Sequence, residues 1–278
     1  VVWNLRMPRI LTAIVGGIAL ALAGCAFQSV LRNPLASAST LGISQGAAFG
    51  ASIAIIVLGV GSSSVAYEGL GASNPYLTVI CAFLGAIAST IAILALSRFR
   101  DMTPESIVLA GVALSALFTG ATALIQYFAE DTQVAAVVFW TFGDLGRASY
   151  REIAIMAVIA AASFVFFYCN RWNFNAMESG EGTAHGLGLN VRRTRLLGMI
   201  VGAFAASSVI AFCGTINFIG SDYRYLLVAS ALAGAGILLL SDIIARMALV
   251  GVVLPISAIT SFVGAPLFLY LLMRGAHR

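Results

Sequence analysis

Chemistry in a protein needs side chains that ionise, coordinate or attack, and this chain of 278 residues has few of them. It carries 15 basic residues, all of them arginine, with 11 acidic residues, 2 histidines and 4 cysteines. The lack of lysine excludes a Walker A phosphate loop, whose lysine reaches the nucleotide phosphates. His185 and His277 lie in polar stretches and belong to no metal-ligand pattern. Cys25, Cys81, Cys169 and Cys213 are far apart and mostly within apolar runs, so they read as small buried hydrophobes. No paired acids and no nucleophile–base pattern stand within reach of one another. What remains is arginine, whose planar fork pairs carboxylates through two hydrogen bonds at once. Arg6 and Arg9 are three residues apart, and Asp242 precedes Arg246 by four, the spacing of an ion pair on one helix face.

The elements that must position these groups are set by composition. The chain is 60% hydrophobic and 9% charged, far too apolar to cover a soluble domain with polar surface. Crossing a bilayer takes about 20 apolar residues in a helix, and the runs from Ile10 to Leu31, Leu41 to Tyr67 and Tyr76 to Ser97 are free of charge except at their borders. Eight full spans are expected, over 10–31, 41–62, 76–97, 105–129, 152–170, 196–213, 226–246 and 253–273. A short interfacial helix is expected over 133–145, with Trp140 in an aromatic belt. The net charge of +4 reads as loop arginine rather than a nucleic-acid surface. Arg98 and Arg100 share one side with Arg171, Arg192, Arg193 and Arg195, which marks that side as cytoplasmic. Arg6, Arg9, Arg147 and Arg151 fall on the other side. The alternation fails near the end, placing Arg274 and Arg278 outside unless one more crossing lies between residues 213 and 226. A piece of chain is therefore expected to be absent after about Gly220.

Four stretches are too particular for generic spans. They are Arg6-Met7-Pro8-Arg9; Gln28 with Asn33-Pro34-Leu35-Ala36 and Leu41-Gly42-Ile43-Ser44-Gln45-Gly46; Ala184-His185-Gly186-Leu187-Gly188; and Asp242 to Arg246, followed by Leu254-Pro255 and Gly264-Ala265-Pro266. Together, and in order over essentially the whole chain, they resemble the ABC importer permease family for iron-siderophores, haem and cobalamin. The resemblance implies an all-α, polytopic fold of ten spans and a single transmembrane permease domain over 1–278. The family's first span, before the Arg-x-Pro-Arg element, and most of its eighth, after the element matching Gly214 to Gly220, are therefore expected to be absent from this sequence.

The resemblance also implies partners: a second copy of the chain, two ATP-binding subunits, an extracytoplasmic substrate-binding protein and the lipid bilayer of a prokaryotic cytoplasmic membrane. No cofactor is expected in the chain, because ATP and magnesium would sit on the separate ATPase. Arg6, Arg9 and Arg246 match positions that receive glutamates of the binding protein; arginines that merely snorkel to the interface are the plainer alternative. Asp242 reads as the structural ion-pair partner of Arg246. Glu181, Ala184, Leu187 and Gly188 match the cytoplasmic coupling loop, 172–195, that docks on the ATPase; a solvated loop is the alternative. Gln28, Asn33, Pro34, Ser44 and Gln45 put polar groups and a broken helix at membrane depth, where irregular backbone survives only when buried in protein or lining a wet cavity. They are candidates for the translocation path, or for plain inter-helix hydrogen bonding. An ion-coupled secondary transporter would instead need charges at span centres, and Asp242 is the nearest to one.

Overall fold

The computed structural model describes residues 2–60, 76–99, 103–216, 227–247 and 256–260. They form ten principal α-helices, with no strand among the described residues. These are α1 (Met7–Leu31), α2 (Ile43–Ser52), α3 (Tyr76–Phe99), α4 (Pro104–Tyr127), α5 (Asp131–Thr141), α6 (Tyr150–Cys169), α7 (Arg171–Glu178), α8 (Glu181–Gly186), α9 (Val191–Cys213) and α10 (Leu227–Met247). Six of them, α1, α3, α4, α6, α9 and α10, are long and apolar enough to cross a membrane.

The helix starts follow local chemistry. The Thr103 hydroxyl accepts from Ser106 N–H, and Pro104, with no N–H to leave unpaired, takes the first position of α4. Ser149 and Glu152 form a capping box at α6, with the Ser149 N–H donating to Glu152 at 2.6 Å. Asn190 caps α9 by accepting from Arg193 N–H at 3.0 Å.

One expectation changes. The apolar stretch 41–62 reads as a full span, but Gly42, at φ +73°, ends a turn-rich connection and helix begins only at Ile43. It continues through a π-helical turn, Ile53–Val57, giving 15 residues in all. At about 1.5 Å per residue that is roughly 22 Å, short of a bilayer core. The polar stretch 172–195, expected as the coupling loop, carries short helices: it comprises most of α7, all of α8 and the first turn of α9. The expected span 253–273 lies largely outside the described residues, although 256–260 is helical. The segment beyond residue 216, where a crossing is expected to be absent, lies outside them as well.

Helix α1 is the hub, packed against α10, α9 and α6, while α2 is wedged between α3 and α4. Water is absent from a bilayer core, so helix association there depends on close contact, which small residues allow. Gly17 of α1 faces Gly234 of α10 so closely that a Cβ on either would lie 2.5 Å from the other's carbonyl oxygen. A Cβ on Gly46 of α2 would likewise lie 2.5 Å from the Gly85 carbonyl of α3. Burial is uneven as a result. The most apolar stretch of α1 is 72% buried, but that of α4 is 11% buried, leaving α4 with a broad face for lipid or another chain.

Candidate docking and coupling sites

The start of α1, the end of α10 and the turn between α5 and α6 meet at one end of the bundle. Asp242 is the centre of this meeting. Its carboxylate is 1% exposed, and both oxygens are taken by arginine. Arg9 Nε donates to Oδ1 at 2.6 Å, and Arg246 Nη2 donates to Oδ2 at 2.5 Å. Arg9 also reaches the other way, its Nη2 lying 3.2 Å from Asp144 Oδ1 as an ion contact without hydrogen-bond geometry. Asp144 accepts from Gly146 N–H at 2.9 Å, and its own N–H donates to the Cys213 carbonyl at the end of α9 at 2.7 Å. Nearby, the Phe142 carbonyl accepts from the Ser257 hydroxyl at 2.9 Å.

The expected Asp242–Arg246 pair is therefore present, and Arg9 joins it. That third member changes the picture of three equivalent arginines. Arg9 is only 13% exposed and is enclosed by carboxylates on two sides. Arg246 is 34% exposed. Arg6, in the π-helical turn Val2–Arg6, is exposed and makes no ion pair among the described residues. The sequence signal that could have found the Arg9 contact is Asp242 itself. A buried carboxylate needs compensating charge, but its partner is 233 residues away in the chain.

At the opposite end, α7 lays Phe174 and Met177, each 1% exposed, against the bundle. Phe174 packs edge-on to Phe167 of α6, with ring centroids 5.4 Å apart, and its carbonyl accepts from Ser29 of α1 at 3.2 Å. Gly180, at φ +120°, breaks the chain between α7 and α8. Helix α8 buries Ala184 completely and ties Glu181 to Arg195 of α9 through an ion pair. Thr183, His185 and Leu187 are exposed, as is Gly188 at φ +78°. So the four expected coupling residues divide: Ala184 and Glu181 fasten α8 to the bundle, whereas Leu187 and Gly188 are on the surface. Beside them is a cavity of about 1210 Å³, bordered by Arg32, Ser97, Glu105, His185, Arg192 and Arg195 among others.

The expected path residues also divide. Gln28 donates to the Pro34 carbonyl at 3.0 Å, and Asn33 accepts from Leu35 N–H at 2.9 Å, so both brace the turn after α1. Pro34 is exposed within that turn. Ser89 and Ser115 donate to the Leu41 and Ser39 carbonyls at 3.0 and 3.2 Å, fastening the same connection to α3 and α4. The Ser44 hydroxyl and the Gln45 amide oxygen are buried with no hydrogen-bond partner among the described residues. Backbone satisfaction by neighbouring side chains explains how irregular chain is kept at this depth. No group of three His, Cys, Asp or Glu that could hold a metal occurs among the described residues.

Bilayer-length helices with charge gathered at the two ends define the class: a multi-pass, all-helical membrane protein. Comparison with known proteins narrows it. The FecCD transport family matches residues 1–274, and the chain belongs to that family. A protein of Methanocaldococcus jannaschii assigned as an ABC transporter permease is 50% identical, over 99% of this chain and 82% of that protein. The hemin transport system permease protein of Yersinia pestis is 32% identical, over 98% of this chain and 83% of its own length. The vitamin B12 import system permease protein of Salmonella typhi is 33% identical, over 99% of this chain and 84% of its own length. Among solved structures, an inward-facing ABC transporter assigned to the metal-chelate type superposes with a TM-score of 0.83 at 26% identity, covering 98% of this chain and 88% of that one.

Proposed function

We propose that this chain is the permease subunit of a binding-protein-dependent ABC importer in a prokaryotic cytoplasmic membrane, carrying an iron-siderophore, haem, cobalamin or related metal chelate. It would act as a homodimer, with cargo passing between the copies and two ATP-binding subunits supplying energy. ATP and magnesium would reside on those subunits. The observation that carries the reading is the division of labour between the two ends. The Arg6 and Arg246 end offers guanidinium groups suited to a carboxylate-bearing binding protein. The α7–α8 end offers a small exposed helix fixed to α1 and α9 by Phe174, Ala184 and the Glu181–Arg195 pair. A partner that pulls on α8 as it closes on nucleotide moves α9 with it as a rigid body. The relatives named as haem and vitamin B12 permeases support the cargo class.

Ion coupling has less to draw on. Asp242 is the one charged residue in the buried set among the described residues, and it is held by two arginines at a helix end. The test is uptake into proteoliposomes holding the permease, its co-purifying ATPase and its binding protein, against ferric siderophore, haem, cobalamin and molybdate. Uptake of one cargo that disappears without ATP or without the binding protein supports the importer. Uptake that follows an imposed proton or sodium gradient, with no ATPase co-purifying, overturns it.

A further inference from the structure

We infer that Asp242 is a built-in competitor for the carboxylates of the docking partner, and that it sets how strongly the arginine end holds that partner. The inference rests on the docking role proposed above for that end. Asp242 lies too deep, at 1% exposure, to touch an incoming protein. Its effect is exerted through the two arginines it holds. Arg246 presents the outer part of its guanidinium to solvent while its Nη2 is engaged with Asp242. Arg9 is enclosed between Asp242 and Asp144 and contributes no free fork. The two aspartates are thus set against Arg9 and Arg246, with Arg147 beside Asp144 as well, while Arg6 makes no ion pair among the described residues. An arginine pair without the buried carboxylate would attract acidic surfaces from farther away and release them more slowly. A carrier that must deliver cargo and then leave is better served by the partly neutralised pair. Arg9 and Asp242 are accordingly positioning residues, and Arg6 and Arg246 are the contacting ones.

The test uses the full permease–ATPase complex in nanodiscs. Phenylglyoxal, which modifies free guanidinium groups, is read out residue by residue by mass spectrometry. In the wild-type chain the expected order of modification is Arg6 fastest, Arg246 slower and Arg9 slowest. Asp242→Asn keeps the shape and one hydrogen-bond acceptor, and should speed modification of Arg246 by about fivefold with Arg6 unchanged, the size of effect a partly exposed ion pair supports. Asp144→Asn, which leaves both Asp242 contacts in place, should leave Arg246 unchanged. With the binding protein identified by the uptake assay, Asp242→Asn should tighten docking by about fivefold and steepen its salt dependence. If Arg246 reacts as fast as Arg6 in the wild type, or if Asp242→Asn leaves Arg246 reactivity and docking unchanged, the competitor role is overturned. The wild-type ranking needs no variant, so a poorly folding Asp242→Asn chain does not shield the idea. If instead Arg6→Glu and Arg246→Glu leave docking intact, the docking role itself fails, whatever the phenylglyoxal result.

Discussion

Replacing Gly17 by alanine should destabilise the bundle, while the same change at its neighbour Gly16 should not. The two positions share a helix and a burial class, so the gain in helix propensity on going from glycine to alanine, up to about 1 kcal/mol, is common to both. Packing separates them. A Cβ at Gly17 would lie 2.5 Å from the Gly234 carbonyl oxygen and 2.7 Å from the Ala235 Cα, both backbone atoms of α10. Carbon contacts relax near about 3.5–4.0 Å, so α1 and α10 would have to part by roughly 1 Å. Overpacking costs about 1–3 kcal/mol, and contact with backbone that cannot rotate away puts this site in the upper part of that range, about 2–3 kcal/mol, which leaves a net loss of about 1–2 kcal/mol after the propensity gain. At Gly16 the nearest atom is Val209 Cγ1 at 3.2 Å, the end of a side chain that can shift by a few tenths of an ångström. The expected result there is neutral to slightly stabilising. The buried thiols of Cys25 and Cys213 provide the assay in a Cys81→Ser, Cys169→Ser background, because a thiol-reactive dye then fluoresces only as unfolding exposes them. Gly17→Ala should lower the midpoint by about 2–8 °C, using about 2–4 °C per kcal/mol, and Gly16→Ala should leave it within experimental scatter. Equal shifts for both variants, or none at Gly17, would refute backbone contact between α1 and α10.

Other expectations follow from the same geometry. Breaking the Glu181–Arg195 pair with Glu181→Gln should lower uptake by up to about fivefold while ATP hydrolysis by the assembled complex persists, since only the tie between α8 and α9 is weakened; uptake and phosphate release measured on the same vesicles separate the two. Leu187→Glu should abolish co-purification of the ATPase without moving the dye-detected melt of the permease, because Leu187 is exposed; Gly188 stays glycine in this test, since a side chain at φ +78° would strain the backbone. Ala184→Leu should do the reverse at first, lowering the melt through overpacking of about 1–3 kcal/mol at a fully buried site. Arg9→Met leaves Asp242 with Arg246 alone and should lower the melt by more than Arg6→Met, whose guanidinium pairs with nothing among the described residues.

The long spans were readable because bilayer thickness imposes a length on apolar runs, and α1, α3, α4, α6, α9 and α10 all fall where those runs lie. The short helix expected over 133–145 is α5, Asp131–Thr141, stopped early by the Gly143 turn. Hydropathy could not show that the run from Leu41 is helical only from Ile43 to Val57, since Leu41 before it and Leu58 and Val60 after it are as apolar as helical residues. Nor could it tell a polar side chain that braces a turn from one whose polar atom is buried without a hydrogen-bond partner among the described residues. Gln28 and Asn33 look alike in sequence to Ser44 and Gln45, and only the positions of the Pro34 carbonyl and Leu35 N–H separate them. Ala184 was grouped with the surface residues beside it because a short motif carries no burial signal. The Arg9–Asp242 contact depends on two helix ends far apart in the chain, and local spacing has nothing to say about it.

Helix α4 is attached to its neighbours unevenly, and this gives it a mechanical property. Gly111 lies against the Leu41 region, Ser115 bonds to the Ser39 carbonyl, and Phe118 meets Phe49 with ring centroids 5.5 Å apart. Beyond them, Gly120 has open space around it and Leu124 and Tyr127 are exposed. These anchors sit on the first two-thirds of the helix, and beyond Phe118 the remainder is held more lightly, against the π-helical turn Ile53–Val57. From Ser115 to Tyr127 the helix is about 18 Å long at 1.5 Å per residue. A tilt of about 10° carries its tip roughly 3 Å sideways with every backbone hydrogen bond of the helix kept.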